Sequence, residues 1–110
     1  MDNLIEWLQT IFADDLCGGT WEHRWGIQIS TLDNPGWAFK FDLIDTDLVD
    51  IPFNTVNIEI DENNWFMCRI QDGKFEGAGG PKNLTEILRT FKEWYVKASQ
   101  IAEERKGNTK

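Results

Sequence analysis

Few residues in this 110-residue chain have the types and spacing that chemistry needs. There is one histidine, His23, beside Glu22, and there are two cysteines, Cys17 and Cys68. A histidine next to a carboxylate is the start of a general base, with the acid orienting the ring. A nucleophile to go with it is hard to find. Ser30 and Ser99 are the only serines, and the cysteines stand far apart, outside any CxxC pattern. The alternative is that His23 hydrogen-bonds locally where the chain enters a strand. Metal ligands fare no better. One histidine and two distant cysteines give no zinc spacing. Asp61-Glu62-Asn63-Asn64 lacks the alternating ligands and central glycine of a calcium loop. No cofactor and no metal are expected.

Two further stretches stand out. Glu76-Gly77-Ala78-Gly79-Gly80-Pro81 runs from a predicted strand towards a predicted helix, a place where backbone N–H groups and the helix dipole can hold an anion. Neither phosphate-loop nor dinucleotide spacing is present, and Glu76 would repel a phosphate. A turn that needs positive φ, followed by a helix cap, accounts for the same residues. The second stretch, Asp42 to Glu62, holds Asp42, Asp45, Asp47, Asp50, Glu59, Asp61 and Glu62, with no lysine or arginine between Lys40 and Arg69. Leu48, Ile51, Pro52 and Phe53 are interleaved among the acids. Carboxylates around apolar anchors suit an interface for a basic surface, charge steering the encounter and the anchors adding affinity. A solvated loop that tucks Phe53 inward is the rival reading.

Net charge agrees with the first reading. At −8, the chain repels nucleic acid and anionic membrane, which bind through clustered lysine and arginine. The same charge also serves solubility. The sequence is 41% hydrophobic and 13% aromatic, with six tryptophans, a composition that packs a core and leaves indoles for binding surfaces. Met1-Asp2-Asn3 is not a signal-peptide start, and no run approaches the ~20 apolar residues of a membrane span. The expectation is a soluble cytoplasmic protein with reduced thiols.

The elements that must position these residues follow from periodicity. Leu4, Leu8, Ile11 and Phe12 mark a first helix, capped by Asp2 or Asn3 and stopped by Gly18-Gly19. Arg24–Thr31 alternates, with Trp25, Ile27 and Ile29 on one face. Trp37–Leu43 does the same with Trp37, Phe39, Phe41 and Leu43, and Asp33-Asn34-Pro35-Gly36 joins the two as a hairpin. Thr55–Ile60, with Val56, Ile58 and Ile60 inward, and Trp65–Gln71 form the third and fourth strands. Lys74-Phe75-Glu76 reads as a short fifth strand after an Asp-Gly turn. Asn83, with Glu86 three residues on, opens a second helix that carries its apolar face to about Ala102. The expected domain is 1–102, with 103–110 as a frayed polar tail. Strands grouped between helices, without βαβ alternation, indicate α+β: one antiparallel meander sheet of four to five strands with helices packed on a face.

Three motifs, taken together, resemble immunity protein 53 of bacterial polymorphic toxin systems. They are Trp21-Glu22-His23 with Gly26-Ile27, Thr31-Leu32-Asp33-Asn34-Pro35-Gly36-Trp37, and Phe75-Glu76-Gly77-Ala78-Gly79-Gly80-Pro81. The likeness runs from the first helix to about Trp94. It implies a cytoplasmic, non-enzymatic α+β protein that binds and neutralises a cognate toxin by masking its surface. A toxin that acts on nucleic acid would be basic and would associate quickly with an acidic inhibitor. The residues expected to bind the partner are Asp45, Asp47, Asp50, Glu59, Asp61 and Glu62, with Phe53 and Trp65 as anchors. The motif positions are either framework or a competing site. The alternative is a small-ligand or enzymatic site in which Glu22, His23, Asp33, Asn34 and Glu76 converge at one end of the sheet.

Overall fold

The computed structural model describes residues 3–16, 21–33 and 35–107. Helix α1 (Leu4–Ile11) buries Leu4, Leu8 and Ile11. Asn3 caps it: its Oδ1 accepts the Glu6 N–H at 2.9 Å, and its Nδ2 donates to the Glu6 carboxylate at 2.9 Å. The α-helix is shorter than its periodicity suggests, because from Phe12 to Leu16 the chain widens into one π turn. The stop expected at Gly18-Gly19 and the Cys17 thiol lie outside the described residues. A short helix α2 (Trp21–Arg24) then leads to the sheet.

Five antiparallel strands come next: β1 (Ile27–Leu32), β2 (Gly36–Asp42), β3 (Val56–Asp61), β4 (Asn64–Gln71) and β5 (Lys74–Gly79). Helix α3 (Leu84–Gly107) completes the chain. The α+β architecture is as the sequence predicts, but the strand order is β1-β2-β5-β4-β3 and not a simple meander. Strands β3, β4 and β5 are joined by tight turns, and β5 docks beside β2. Residues 43–55 must therefore cross from the end of β2 to the far edge, a Greek-key connection. The sheet has an upper end, where Asp42, Lys74 and Gln71 meet, and a lower end, where Gly36 and Gly79 meet.

The register sorts the side chains into two faces. Phe41 pairs with Phe75 and Phe75 with Ile70, while Phe39 pairs with Gly77 and Gly77 with Cys68. This face lies beneath α1 and α3. Phe39, Phe41, Phe75 and Phe91 are fully buried, and the Phe91 ring sits 4.7 Å from Phe41, 4.9 Å from Phe75 and 5.1 Å from Phe39. Burial pushes the Cys68 thiol up to about 12, so it is an inert core residue. The opposite face, with Lys40, Glu76, Arg69 and Trp65, carries no helix, and Arg69 donates to Glu76 there at 3.0 Å.

Several local expectations need correction. The first strand begins at Ile27, because Trp25 still donates to the Trp21 carbonyl at 2.8 Å in a helical turn. Ile29, Ile58 and Ile60, read as inward, are exposed. Two helices about 10 Å wide cover roughly four strands spaced about 4.8 Å apart, so the edges of a five-stranded sheet escape.

The glycine stretch is strand, not loop. Gly77 and Gly79 lie inside β5, and none of Gly77, Gly79 and Gly80 needs positive φ; Gly73 is the glycine that does, among those described. What they provide is close approach. A Cβ on Gly77 would lie 2.4 Å from Ile87 Cγ2, one on Gly80 2.6 Å from the Asn63 carbonyl, and one on Gly36 2.3 Å from the Gly79 carbonyl.

Asn83 and Glu86 form no capping box. Asn83 is buried and spends its side chain on the β3–β4 hairpin, accepting from the Trp65 N–H at 3.3 Å and donating to Asn64 at 3.0 Å. Its own N–H goes to the Gly80 carbonyl at 3.1 Å, which leaves Glu86 Oε2 buried without a partner.

Glycine substitution separates close approach from mere flexibility. Gly36→Ala drives a methyl into backbone and should cost about 1–3 kcal/mol. Gly26, with open space around its Cβ position, should accept alanine with no loss and a gain of up to about 1 kcal/mol from the unfolded state. Urea unfolding of the two variants measures both.

Candidate functional site

The upper end of the sheet is concave. The end of α1 with its π turn, the start of the 43–55 connection and the last turns of α3 surround an open cleft of about 800 Å³. Its rim carries Asp14, Asp15, Asp45, Asp47 and Glu103, with Lys106 as the cation among its lining residues. Its floor is apolar: Leu16, Trp21, Leu48, Tyr95 and Ala102 are all buried.

Each wall is held by identifiable contacts. The Trp21 indole packs against Phe41 at 5.6 Å and Phe12 at 6.3 Å, and its Nε1 donates to the Asp42 carbonyl at 3.1 Å. The Asp42 carboxylate accepts the Gly26 N–H at 2.8 Å, which fixes the chain where it enters β1. Asp45 has φ of 66° and accepts the Trp25 indole N–H at 2.8 Å. On the connection, Thr46 Oγ1 closes a turn onto the Leu43 carbonyl at 2.6 Å, while Leu48 and Ile51 are buried beneath it.

Helix α3 closes the far side. Its apolar face ends at Ala102, but the helix runs on to Gly107 because the residues beyond have partners. Lys106 pairs with Asp47, and Arg105 meets Asp50 at 3.3 Å. The Asp47 carboxylate raises the Lys106 pKa by its hydrogen bond and its charge. Tyr95 donates to Asp15 at 3.3 Å. Burial, and after it the Asp15 charge and hydrogen bond, pushes the Tyr95 phenol well above its ordinary value.

The structure divides the residues expected to bind a partner. Asp45, Asp47 and Asp50 stand at or beside the cleft, all exposed. Glu59, Asp61 and Glu62 are at the lower end, on β3 and the turn after it, a strand length or roughly 20 Å away. Trp65 pairs with Glu59 and lines a second, shallower hollow of about 510 Å³ with Glu59, Ile60, Asp61 and Glu62. Phe53 is no surface anchor. Its ring packs 5.0 Å from Phe75 and 6.1 Å from Trp94, and the Trp94 indole donates to the Pro52 carbonyl at 3.0 Å.

The motif residues mostly build the frame. Trp37 pairs with Gly79 and donates through Nε1 to the Pro81 carbonyl at 2.9 Å, which ties the second motif to the third. Glu76 faces Arg69 on the open side. Asp33 and Pro35 occupy the exposed turn before Gly36; Asn34 lies outside the described residues, as do the side chains of Glu22 and His23. The alternative cluster does not converge. Glu22 and His23 precede β1 at the upper end, Asp33 follows β1 at the lower end, and Glu76 is mid-strand on the open face.

Sequence reasoning missed Asp14, Asp15, Tyr95 and Glu103. A signal for the first two was present. Adjacent aspartates at the end of a helix oppose its dipole, so their placement costs stability and asks for another reason. A π turn at the same point is a common mark of a functional site. Among the described residues no group of carboxylates, histidines and cysteines could hold a metal ion, and no helix is long and apolar enough to cross a membrane.

Fold and cleft together define a small α+β domain with an acidic-rimmed cleft at the upper end of its sheet. The family model for immunity protein 53 matches residues 5–96, and the chain belongs to that family. No curated protein and no solved structure matches it. The resemblance carried by the three motifs is thereby borne out.

Tyr95 gives the site a pH signature. Its pKa is raised above the ordinary 10.0, so above about pH 10 the folded chain keeps a proton that the unfolded chain releases. The stability this contributes is present below that pH and is lost as pH rises. Tyr95→Phe should flatten the alkaline fall in urea midpoint while changing stability near neutral pH by only about 1 kcal/mol.

Proposed function

We propose that this chain binds a basic toxin domain and neutralises it by covering its surface, with the upper acidic cleft as the principal contact. The observation that carries the reading is the cleft itself. Carboxylates from three separate elements ring an apolar floor in a concavity large enough for several side chains. A basic loop entering it would gain long-range attraction on approach and apolar contact once seated. Family membership supports the same conclusion, since an immunity protein implies a toxin partner.

The role asks for no catalysis. Tyr95 has its pKa pushed up and away from neutrality, which leaves it a hydrogen-bond donor to Asp15 and not a general base near neutral pH. Masking needs only shape, charge and a rigid scaffold. Cytoplasmic residence and a nucleic-acid-directed toxin belong to the same proposal.

The test is a titration against the toxin domain encoded beside the gene, at two salt concentrations, by stopped-flow and calorimetry. Binding should be tight and should weaken with salt. Asp14→Lys with Asp47→Lys should slow association about tenfold at low salt, with the dissociation rate changing less. Unchanged association would move the site away from the cleft, and absence of binding would remove the toxin reading altogether.

A further inference from the structure

We propose that the outer edge of β3 takes up an extended basic segment of the partner protein by strand addition. The inference rests on the reading that this chain binds a basic protein, and it adds a second contact about a strand length from the cleft. At one side of the sheet β3 pairs, among the described residues, with β4 alone, so its other row of backbone N–H and C=O groups faces outward. Such an edge is a template for another strand.

Its side chains are arranged for a foreign strand. Ile58 is 43% and Ile60 69% exposed, beyond the cover of α3. Glu59 faces the open side beside Trp65, by its register with that residue, and Asp61 and Glu62 follow at the turn. Cross-strand neighbours interact directly, and like charges placed opposite one another are destabilising. A second copy of β3 paired antiparallel about Glu59 would set the two Glu59 carboxylates opposite each other, and it would bring no cation to either.

A strand that alternates apolar and cationic residues would place aliphatic side chains by Ile58 and guanidinium groups by Glu59. The hollow between Glu59, Asp61, Glu62 and Trp65 has room for such a head group, with an indole for the guanidinium to stack on. The bulge between Glu59 and Asp61 makes Ile60 the extra residue and limits regular pairing to the first part of the strand. At the opposite edge, β1 carries no charged residue from Ile27 to Leu32, so nothing there selects a basic partner.

The probe is a short acetylated peptide of alternating arginine and valine, followed by amide hydrogen exchange on the whole chain. Exchange of the outward-facing amides within Val56–Glu59, ahead of the bulge, should slow about tenfold or more, while β1 should stay unchanged. The protection should vanish with a glutamate–valine peptide, and in Glu59→Lys/Glu62→Lys and Ile60→Lys, all exposed changes that leave the core intact.

Protection confined to the cleft, to the open sheet face or to β1 would overturn the proposal. So would a dimer in light scattering that Ile60→Lys dissolves, since the occupant would then be a second copy. The toxin titration separates the two readings. If the toxin binds the β3 variants as tightly as the wild type, the edge proposal fails and the cleft stands. If the toxin does not bind but the peptide protects β3, the edge keeps its chemistry and the toxin assignment fails.

Discussion

Everything above the sheet depends on how closely α3 can lie on β5. Gly77 and Gly79 remove the side chains that would hold the helix away, so Ile87 rests almost on the strand backbone. That approach brings Phe91 down between Phe39, Phe41 and Phe75. It also fixes where Trp94 and Tyr95 emerge one turn later, and with them the floor of the cleft. Asn83 locks the same contact from below by bonding to the β3–β4 hairpin instead of its own helix. The polar cost of that choice shows at Glu86, whose inner carboxylate oxygen has no partner.

Much of this was legible in the residues. Alternation in Trp37–Leu43 named the aromatic face correctly, because a central strand has one side fully covered. Alternation in Thr55–Ile60 misled for the converse reason: the pattern is that of a half-buried strand, but an edge strand lies beyond the reach of the helices. The glycine stretch misled differently. Glycine reads locally as a chain breaker, and the requirement it meets here, room for an element far along the chain, has no local signature. The order β1-β2-β5-β4-β3 was equally invisible, since nothing within Leu43–Thr55 says how far a connection travels before it pairs again.

The acidic run shows how a sequence cluster can dissolve in space. Asp45, Asp47 and Asp50 are neighbours of Glu59, Asp61 and Glu62 only along the chain; β3 carries the second group to the other end of the sheet. Asp14, Asp15 and Glu103, distant in sequence, join the first group instead. One group of carboxylates rims the cleft at the upper end and another follows the β3 edge, with the motif framework between them. Internal cations temper the upper end, where Lys106 and Arg105 already hold Asp47 and Asp50.

Those two ion pairs set a threshold for any visitor. Both involve exposed side chains and are worth little individually, so a partner can exchange its own cations for them at small cost. A lone lysine would only trade one such pair for another. A partner that seats several cations around apolar side chains on the cleft floor would gain contacts that a lone lysine cannot supply. On the proposed reading the last turn of the helix is an internal competitor for the same carboxylates, and a weak one, because both of its ion pairs are exposed.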